Sequence, residues 1–243
     1  MQLVGSMDSI LKAAGVDLCI VNYRSLALGD REGIIEWVEG AVPLSTIIKE
    51  CSTHEGANPI SVFLRRHNPS TSEPSGIDRS ASELFIRSCA GYTVISYLLA
   101  LGDRHLDNLL LHTSGKFFHV DFGYIFGLDP KPFKSPLRFT TEMLAAMGGE
   151  DAHDYKEFLR LSSQAYLILR KSAVAILNMI RVMLHADIAG VTEASIMTVW
   201  ARFRLDISDQ EAVEHITRTI SESTHAVMPT VMEHMHKLAV SFR

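Results

Sequence analysis

The sequence predicts an α+β fold, mixed in its first half and all helical afterwards. Short apolar runs separated by turn residues occupy the early chain, a Ser-Gly pair joins two of them as a hairpin, and from Thr140 helical periodicity continues with few breakers until Pro229. Hydrophobic residues make up 47% of the 243 and charged residues 21%, which suits a packed core rather than a disordered chain. That length accommodates one large domain or two small ones.

The elements follow in order. Met1 to Ala14 reads as the tail of a helix stopped at Gly15, Leu18 to Val21 as a strand, and Leu26 to Gly33 as a turn. Ile34, Ile35, Trp37 and Val38 form a second strand, and a helix begins between Pro43 and Lys49. Arg66 to Arg79 holds two prolines and several Ser/Thr, so it is a loop; Ser80 or Ser82 then caps an apolar helix reaching about Leu101. Leu109–His112 and Phe117–Val120, joined by Thr113–Lys116, are the hairpin. Prolines at 130, 132 and 136 break the next loop. Residues 154–186, 193–203 and 209–242 read as three helical blocks.

Other classes are excluded on simple grounds. The formal net charge is -5, whereas non-specific nucleic-acid binding relies on a basic surface. Cys19, Cys51 and Cys89 make no CxxC pair, so neither a disulfide framework nor a zinc knuckle is expected, and a reducing compartment fits best. The apolar runs Tyr92–Leu101 and Ala173–Ile180 fall short of the roughly 20 residues that span a bilayer. The first residues lack the basic stretch of a signal peptide. A cytoplasmic protein with only peripheral membrane contact is the expectation.

The chemistry concentrates in Gly102-Asp-Arg-His-Leu-Asp-Asn108 and, beyond the hairpin, His119-Val-Asp-Phe-Gly123. A polar knot of Asp103, Arg104, His105 and Asn108 beside an apolar helix is costly unless paired or bound to a charged ligand. The hairpin folds back over the thirteen positions from Asn108 to Asp121, so the amide oxygen and the carboxylate converge. Two hard oxygen donors with open positions suit Mg²⁺, which keeps waters and takes substrate phosphates as its remaining ligands. The interval from Asp103 to Asn108 matches the Asp-to-Asn interval of kinase catalytic loops, but the tripeptide reads Asp-Arg-His. That reversal places an imidazole where a general base is needed. A metallohydrolase built on His105, His112 and His119 fits less well, because zinc sites want three well-placed donors. Asp107 is expected to face away, towards the surface, and Arg104 to pair with a nearby carboxylate.

These two motifs resemble the catalytic and metal-binding loops of the phosphatidylinositol 3-/4-kinase superfamily, which also contains large protein kinases. The segment from Asp121 to Pro132 is similar to the activation loop of class III phosphatidylinositol 3-kinases. The likeness extends through Ser88–Tyr92, Glu142-Met143, Met147–Gly149 and Phe203–Asp209, and is strong from about Pro59 onward. It implies a protein-kinase-like fold, mainly the helical C-lobe with its hinge. Residues 1–42 would be the end of the N-lobe plus hinge, and 43–243 the C-lobe. Within that C-lobe lie a catalytic loop at 102–108, an activation loop at 121–142 and C-terminal helices at 152–243.

The resemblance also implies roles. His105 would be the base, with Asp103 an orienting or electrostatic partner; the protein-kinase pattern would make Asp103 the base instead. Arg104 joins them in the catalytic set, and Asn108 and Asp121 would hold Mg²⁺ or Mn²⁺ against ATP. The Glu36 carbonyl and Val38 amide would meet adenine, with Ile35 and Trp37 as apolar contacts. The loop carries only Lys131, Lys134 and Arg138 as dispersed cations, which suits unphosphorylated phosphatidylinositol. The apolar stripe Val227, Val231, Met235, Leu238, Ala239 and Phe242 reads either as core or as an interfacial membrane helix. Implied partners are a pseudokinase-like regulatory subunit and a Beclin-type subunit, on endosomal, autophagosome-precursor or vacuolar membranes. The family's phosphate-covering loop and strand lysine have no room before residue 35, so the chain is expected to be a fragment of low activity on its own. The alternatives are a non-catalytic nucleotide- or membrane-binding fragment, a phosphatidylinositol 4-kinase, or a protein kinase of the superfamily.

Overall fold

Helix α4 (Arg79–Leu98) is the axis on which the other elements hang. The computed structural model describes residues 1–29, 32–51, 57–130, 136–186, 188 and 190–225. From Ser88 to Leu98 every residue of α4 is buried, so this helix is apolar all round rather than on one stripe. Its cap is Asp78, not Ser80 or Ser82: the Asp78 carboxylate accepts from the Ser80 N–H at 2.9 Å. A carboxylate at that end also offsets the partial positive charge of the helix N-terminus.

Three layers meet α4. On one side a three-stranded antiparallel sheet runs in the order β3 (Ala41–Pro43), β4 (Leu109–His112), β5 (Phe117–His119). Its register pairs Leu111 with Phe117 and Leu109 with His119, so the expected hairpin forms over the expected residues. Ser88 joins this sheet to α4 by accepting from the Phe117 N–H at 2.8 Å. On the other side α6 (His153–Lys171) lies along α4, with α9 (Asp209–His225) behind it. The third, the thinnest, is α8 (Glu193–Arg202), while α1 (Gln2–Ala13), which buries Leu3, Val4, Met7 and Leu11, packs on α6.

Smaller elements complete the body. Helices α2 (Leu44–Cys51) and α3 (Pro59–His67) pack together, and α5 (Thr141–Ala146) touches α3 and α9. Helices α7 (Ala173–Val182) and α8 (Glu193–Arg202) pair beside α1 and α4. The expected single block over 154–186 is broken at Ser172 because its apolar residues change partner. Tyr155, Phe158, Ala165 and Tyr166 line the buried face of α6, which packs on α4 and α9, whereas α7 buries Ala173, Ile176 and Ile180 and packs on α8 and α1. Arg170 ties that corner down, donating to the Phe203 carbonyl at 3.1 Å and the Arg204 carbonyl at 2.9 Å.

Two expected strands differ. Leu18 to Val21 is not a strand: Cys19 takes φ 54, which breaks an extended ladder, and the segment crosses α4 directly. Gly91 makes that crossing feasible, since a Cβ there would collide with the Ile20 side chain. Instead, a short ribbon forms from β1 (Ser25–Ala27) and β2 (Gly33–Ile35), so the expected turn over Leu26–Gly33 begins with a strand, while Trp37 and Val38 lie beyond β2. The apolar stripe expected at 227–242 lies outside the described residues.

Candidate active site

The Gly102–Asn108 loop connects the end of α4 to β4, and β5 ends two residues before Asp121. The ladder between β4 and β5 therefore delivers both polar segments to the same end of the hairpin. One further backbone bond extends it: the Val120 N–H donates to the Asn108 carbonyl at 3.1 Å. Asp121 follows immediately, beside the residue that carries the amide.

Arg104 staples the two segments. Its guanidinium donates to the Gly102 carbonyl at 2.7 Å, the Val120 carbonyl at 2.8 Å and the Asp121 carbonyl. Its partners are thus three carbonyls rather than the single carboxylate the sequence suggested. Burial pushes its basicity below the ordinary guanidinium value, opposed by the charges of Asp121 and Asp103. Gly102 lets the activation segment approach, because a Cβ there would overlap the Leu128 carbonyl oxygen, and its N–H donates to the Tyr124 carbonyl at 2.7 Å.

Two of the three acidic residues of the motifs sit in left-handed backbone, Asp103 at φ 50 and Asp121 at φ 58. Such conformations are uncommon for residues other than glycine and cluster where side chains must be aimed. The Asn108 side chain is buried, and its Nδ2 donates to the Asp103 carbonyl at 3.0 Å, which turns its Oδ1 away from that bond. Asp121 is exposed, with Oδ1 accepting from the Gly123 N–H at 3.1 Å. One amide oxygen and one solvent-facing carboxylate are hard donors, and they fit a hydrated divalent cation of the Mg²⁺ type.

His105 stands between two carboxylates. Its Nε2 is 3.7 Å from Oδ2 of Asp103, and its Nδ1 is 3.4 Å from Oδ2 of Asp107. Asp107 lies at the surface as expected, its side chain 50% exposed, yet one of its oxygens stands near the imidazole while the other accepts from the Ser45 hydroxyl on α2. The short 3₁₀ turn over Leu106–Asn108 causes this, since it curls the chain back before β4 begins.

The two other histidines are occupied elsewhere. His112 Nδ1 accepts from the Ser114 N–H at 3.0 Å. His119 is buried, stacked on Tyr92 at 5.2 Å and edge-on to Phe117 at 5.3 Å, and burial holds its imidazole well below the usual range. Tyr23 donates to the His119 carbonyl at 3.4 Å, and burial raises its phenol to about 12. Among the described residues no three His, Cys, Asp or Glu side chains gather as a metal cluster.

The hinge-like residues are more open to solvent than this knot. Ile35 is 69% and Trp37 85% exposed, while Val38 is half-buried. Glu36 lines a cavity of about 670 Å³ with Tyr23, Arg24 and Ile34. Its carboxylate accepts from the Arg24 N–H at 2.8 Å, and that bond holds it below the usual carboxylate range. Phe122 lines a second cavity of about 350 Å³ with Leu99, Ile125 and Phe126. Of the loop cations, Arg138 is half-buried between buried Leu137 and Phe139; Lys131 and Lys134 lie outside the described residues.

Sequence reasoning missed the Asp107–Ser45 contact, the backbone role of Arg104 and the place of Tyr23. Only Asp107 carried a signal, an acidic residue two positions after the histidine.

Comparison with known proteins adds the family. A family model described as phosphatidylinositol 3- and 4-kinase matches residues 1–192. The chain is 40% identical over 245 residues to the phosphatidylinositol 3-kinase VPS34 of Arabidopsis thaliana, covering 100% of this chain and 29% of that protein. The Saccharomyces cerevisiae phosphatidylinositol 3-kinase VPS34 is 38% identical over 245 residues, 100% of this chain and 27% of that protein. For the Caenorhabditis elegans phosphatidylinositol 3-kinase catalytic subunit type 3 the identity is 39% over 238 residues, 97% of this chain and 26% of that protein. The chain thus spans under a third of the length of the curated relatives it matches.

Proposed function

The chain belongs to the phosphatidylinositol 3- and 4-kinase family, and from that premise we propose that it carries the machinery for transferring the ATP γ-phosphate to the 3-hydroxyl of phosphatidylinositol. The observation that supports this best is that the backbone of the catalytic-loop segment carrying His105 and Asn108 and that of the segment carrying Asp121 come together at one end of the β4–β5 hairpin, through the Val120–Asn108 backbone bond and the Arg104 bonds to both segments. Residues 1–42 then serve as the end of the N-lobe plus the hinge, and 43–243 as the C-lobe.

In this reading Asn108 and Asp121 hold the cation, and His105 accepts the proton of the attacking inositol hydroxyl. Mg²⁺ or Mn²⁺ held by Asn108 and Asp121 would supply positive charge to offset the charge developing on the phosphates in the transition state. Arg104 keeps the two loops in register, so the cation ligands and the base move as one unit. Asp103 supports the imidazole electrostatically. Ile35, Glu36, Trp37 and Val38 receive adenine, and Lys131, Lys134 and Arg138 supply positive charge for the lipid headgroup. The lipid lies in a membrane, so the protein acts peripherally; among the described residues no helix is long and apolar enough to cross one. Relatives named VPS34 favour roles in endosomal and vacuolar trafficking and autophagy, beside a pseudokinase-like subunit and a Beclin-type subunit.

The test is transfer of labelled phosphate from ATP to vesicles containing phosphatidylinositol, with the product isomers separated. The account expects the 3-phosphate, made only with a divalent cation and lowered about a hundredfold or more by His105→Ala. A 4-phosphate product would reassign the position, preferred transfer to a serine peptide would make the chain a protein kinase, and ATP binding without any transfer would leave a binding module.

A further inference from the structure

We propose that Asp129, on the segment that follows Asp121, is a positioning residue for the cation ligand Asn108, acting through the backbone of Asp103. The inference deepens the kinase reading and rests on it for the role of Asn108, but not for its geometry.

Three bonds carry it. Asp129 Oδ2 accepts from the Asp103 N–H at 3.2 Å. The Asp103 carbonyl in turn accepts from Nδ2 of Asn108 at 3.0 Å and from the His105 N–H at 3.0 Å. Asp103 holds φ 50, and such backbone in a residue other than glycine persists only where its surroundings over-determine it. A carboxylate on its N–H is a charge-assisted contribution to that hold. The buried Asn108 amide has its oxygen and nitrogen on opposite arms of one planar group, so engaging Nδ2 aims Oδ1. A ligand aimed in this way is ready before the cation arrives, as partners behind metal ligands generally ensure.

The approach of Asp129 is built into the backbone. The segment is laced to the loop before it: the Gly102 N–H donates to the Tyr124 carbonyl at 2.7 Å, while the Phe126 and Gly127 N–H groups donate to the Leu99 and Ala100 carbonyls at 2.9 Å. A Cβ on Gly102 would stand 2.9 Å from Asp129 Oδ2 and 3.1 Å from its Cα, so glycine there leaves room for the carboxylate. A rival route is charge alone. Burial lowers the basicity of Arg104, and Asp129 is one of the charges opposing that fall. Asparagine separates the two routes, because it keeps an oxygen for the Asp103 N–H and gives up the charge.

The 243-residue chain with ¹⁵N-labelled asparagine tests the relay before any cation is added, the Asn108 side-chain NH₂ pair being identified by its loss in Asn108→Ala. One proton of that pair should exchange slowly with solvent. Asp129→Ala should speed the exchange, and Asp129→Asn should leave it close to wild type. Mn²⁺ binding with a non-hydrolysable ATP analogue, followed by electron paramagnetic resonance, should weaken about tenfold in Asp129→Ala and far less in Asp129→Asn. Adding Asp129→Ala to Asn108→Ala should cost nothing more, because the effect runs through the amide. Gly102→Ala, which displaces the carboxylate and keeps its charge, should reproduce both losses. Unmoved Asn108 exchange in Asp129→Ala, equal Mn²⁺ losses in the alanine and asparagine variants, or additive losses in the double variant would each overturn the proposal. Slow Asn108 exchange that depends on Asp129, in a wild-type chain that binds no Mn²⁺, would support the relay and count against the kinase reading.

Discussion

Two antiparallel ribbons in this molecule have opposite surroundings. The β4–β5 hairpin is built from Leu and Phe, with Leu109, Leu111, Phe117 and Phe118 fully buried against α4 and the body. The β1–β2 ribbon pairs Leu26 with Ile34 across strands, yet these are 61% and 59% exposed, and every residue of both strands is exposed. The first ribbon aims the residues proposed as cation ligands and base, which need a rigid mount. The second leads into the segment proposed to meet adenine, and its apolar side chains face open space among the described residues. The end proposed to bind phosphate is therefore fixed by the core, while the end proposed to bind adenine is held chiefly by ladder bonds and by Glu36 on Arg24.

The largest expected effect lies at the hairpin's end. His105→Ala should reduce phosphate transfer by about 10²–10⁴-fold, the usual range for losing a general base, with the melting transition unchanged. A melting shift of several degrees would make His105 structural and remove the contrast between mount and chemistry. Stability should then separate the two ribbons: Phe117→Ala should cost about 3–5 kcal/mol by denaturant unfolding, and Leu26→Ala within about 0.5 kcal/mol. Equal costs would break the comparison. Arg104→Met leaves three carbonyls without their charged donor and should cost about 2–3 kcal/mol, and cation binding should weaken with it. At the adenine end, ATP should shift the emission of Trp37, and Trp37→Phe should erase the shift although Trp200 remains; an unchanged shift moves adenine elsewhere.

The smallest effect comes from the helical body and must be subtracted before the ribbons are compared in acid. Tyr97 and Nε2 of His215 lie 2.7 Å apart across α4 and α9, and burial, followed by Arg204, Arg218 and Arg202, holds this imidazole below its ordinary value against the pull of Glu222. With the folded value below the unfolded one of about 6.5, the unfolded chain takes the proton first as pH falls. Stability is then complete above about 6.5 and declines as pH drops towards the lower folded value. His215→Gln should flatten that slope in urea midpoints measured across the window.

The hairpin was legible because its two apolar runs flank a Ser-Gly turn, a pattern that depends only on neighbours in sequence. The strand expected over Leu18–Val21 failed for the converse reason: β-branched residues also suit an extended segment pressed onto a helix, and only tertiary contact with α4 at Gly91 decides between them. Helix α3 was overlooked although Asn58-Pro59 is a start signal, with the Asn58 side chain accepting from the Ser61 N–H at 2.9 Å. At the site, residue identities followed from motif spacing, whereas directions did not. The left-handed backbone of Asp103 and Asp121, the carbonyl bonds of Arg104 and the approach of Asp107 to the imidazole depend on where the loop closes, which spacing alone does not encode.

The central claim is that Asn108 and Asp121 share one divalent cation, and Mn²⁺ binding followed by electron paramagnetic resonance in the presence of a non-hydrolysable ATP analogue tests it most directly. The account predicts one tightly bound Mn²⁺ per chain, lost in Asp121→Ala, weakened in Asn108→Ala and kept in His105→Ala. Retention of that ion at full affinity in both ligand variants would contradict it.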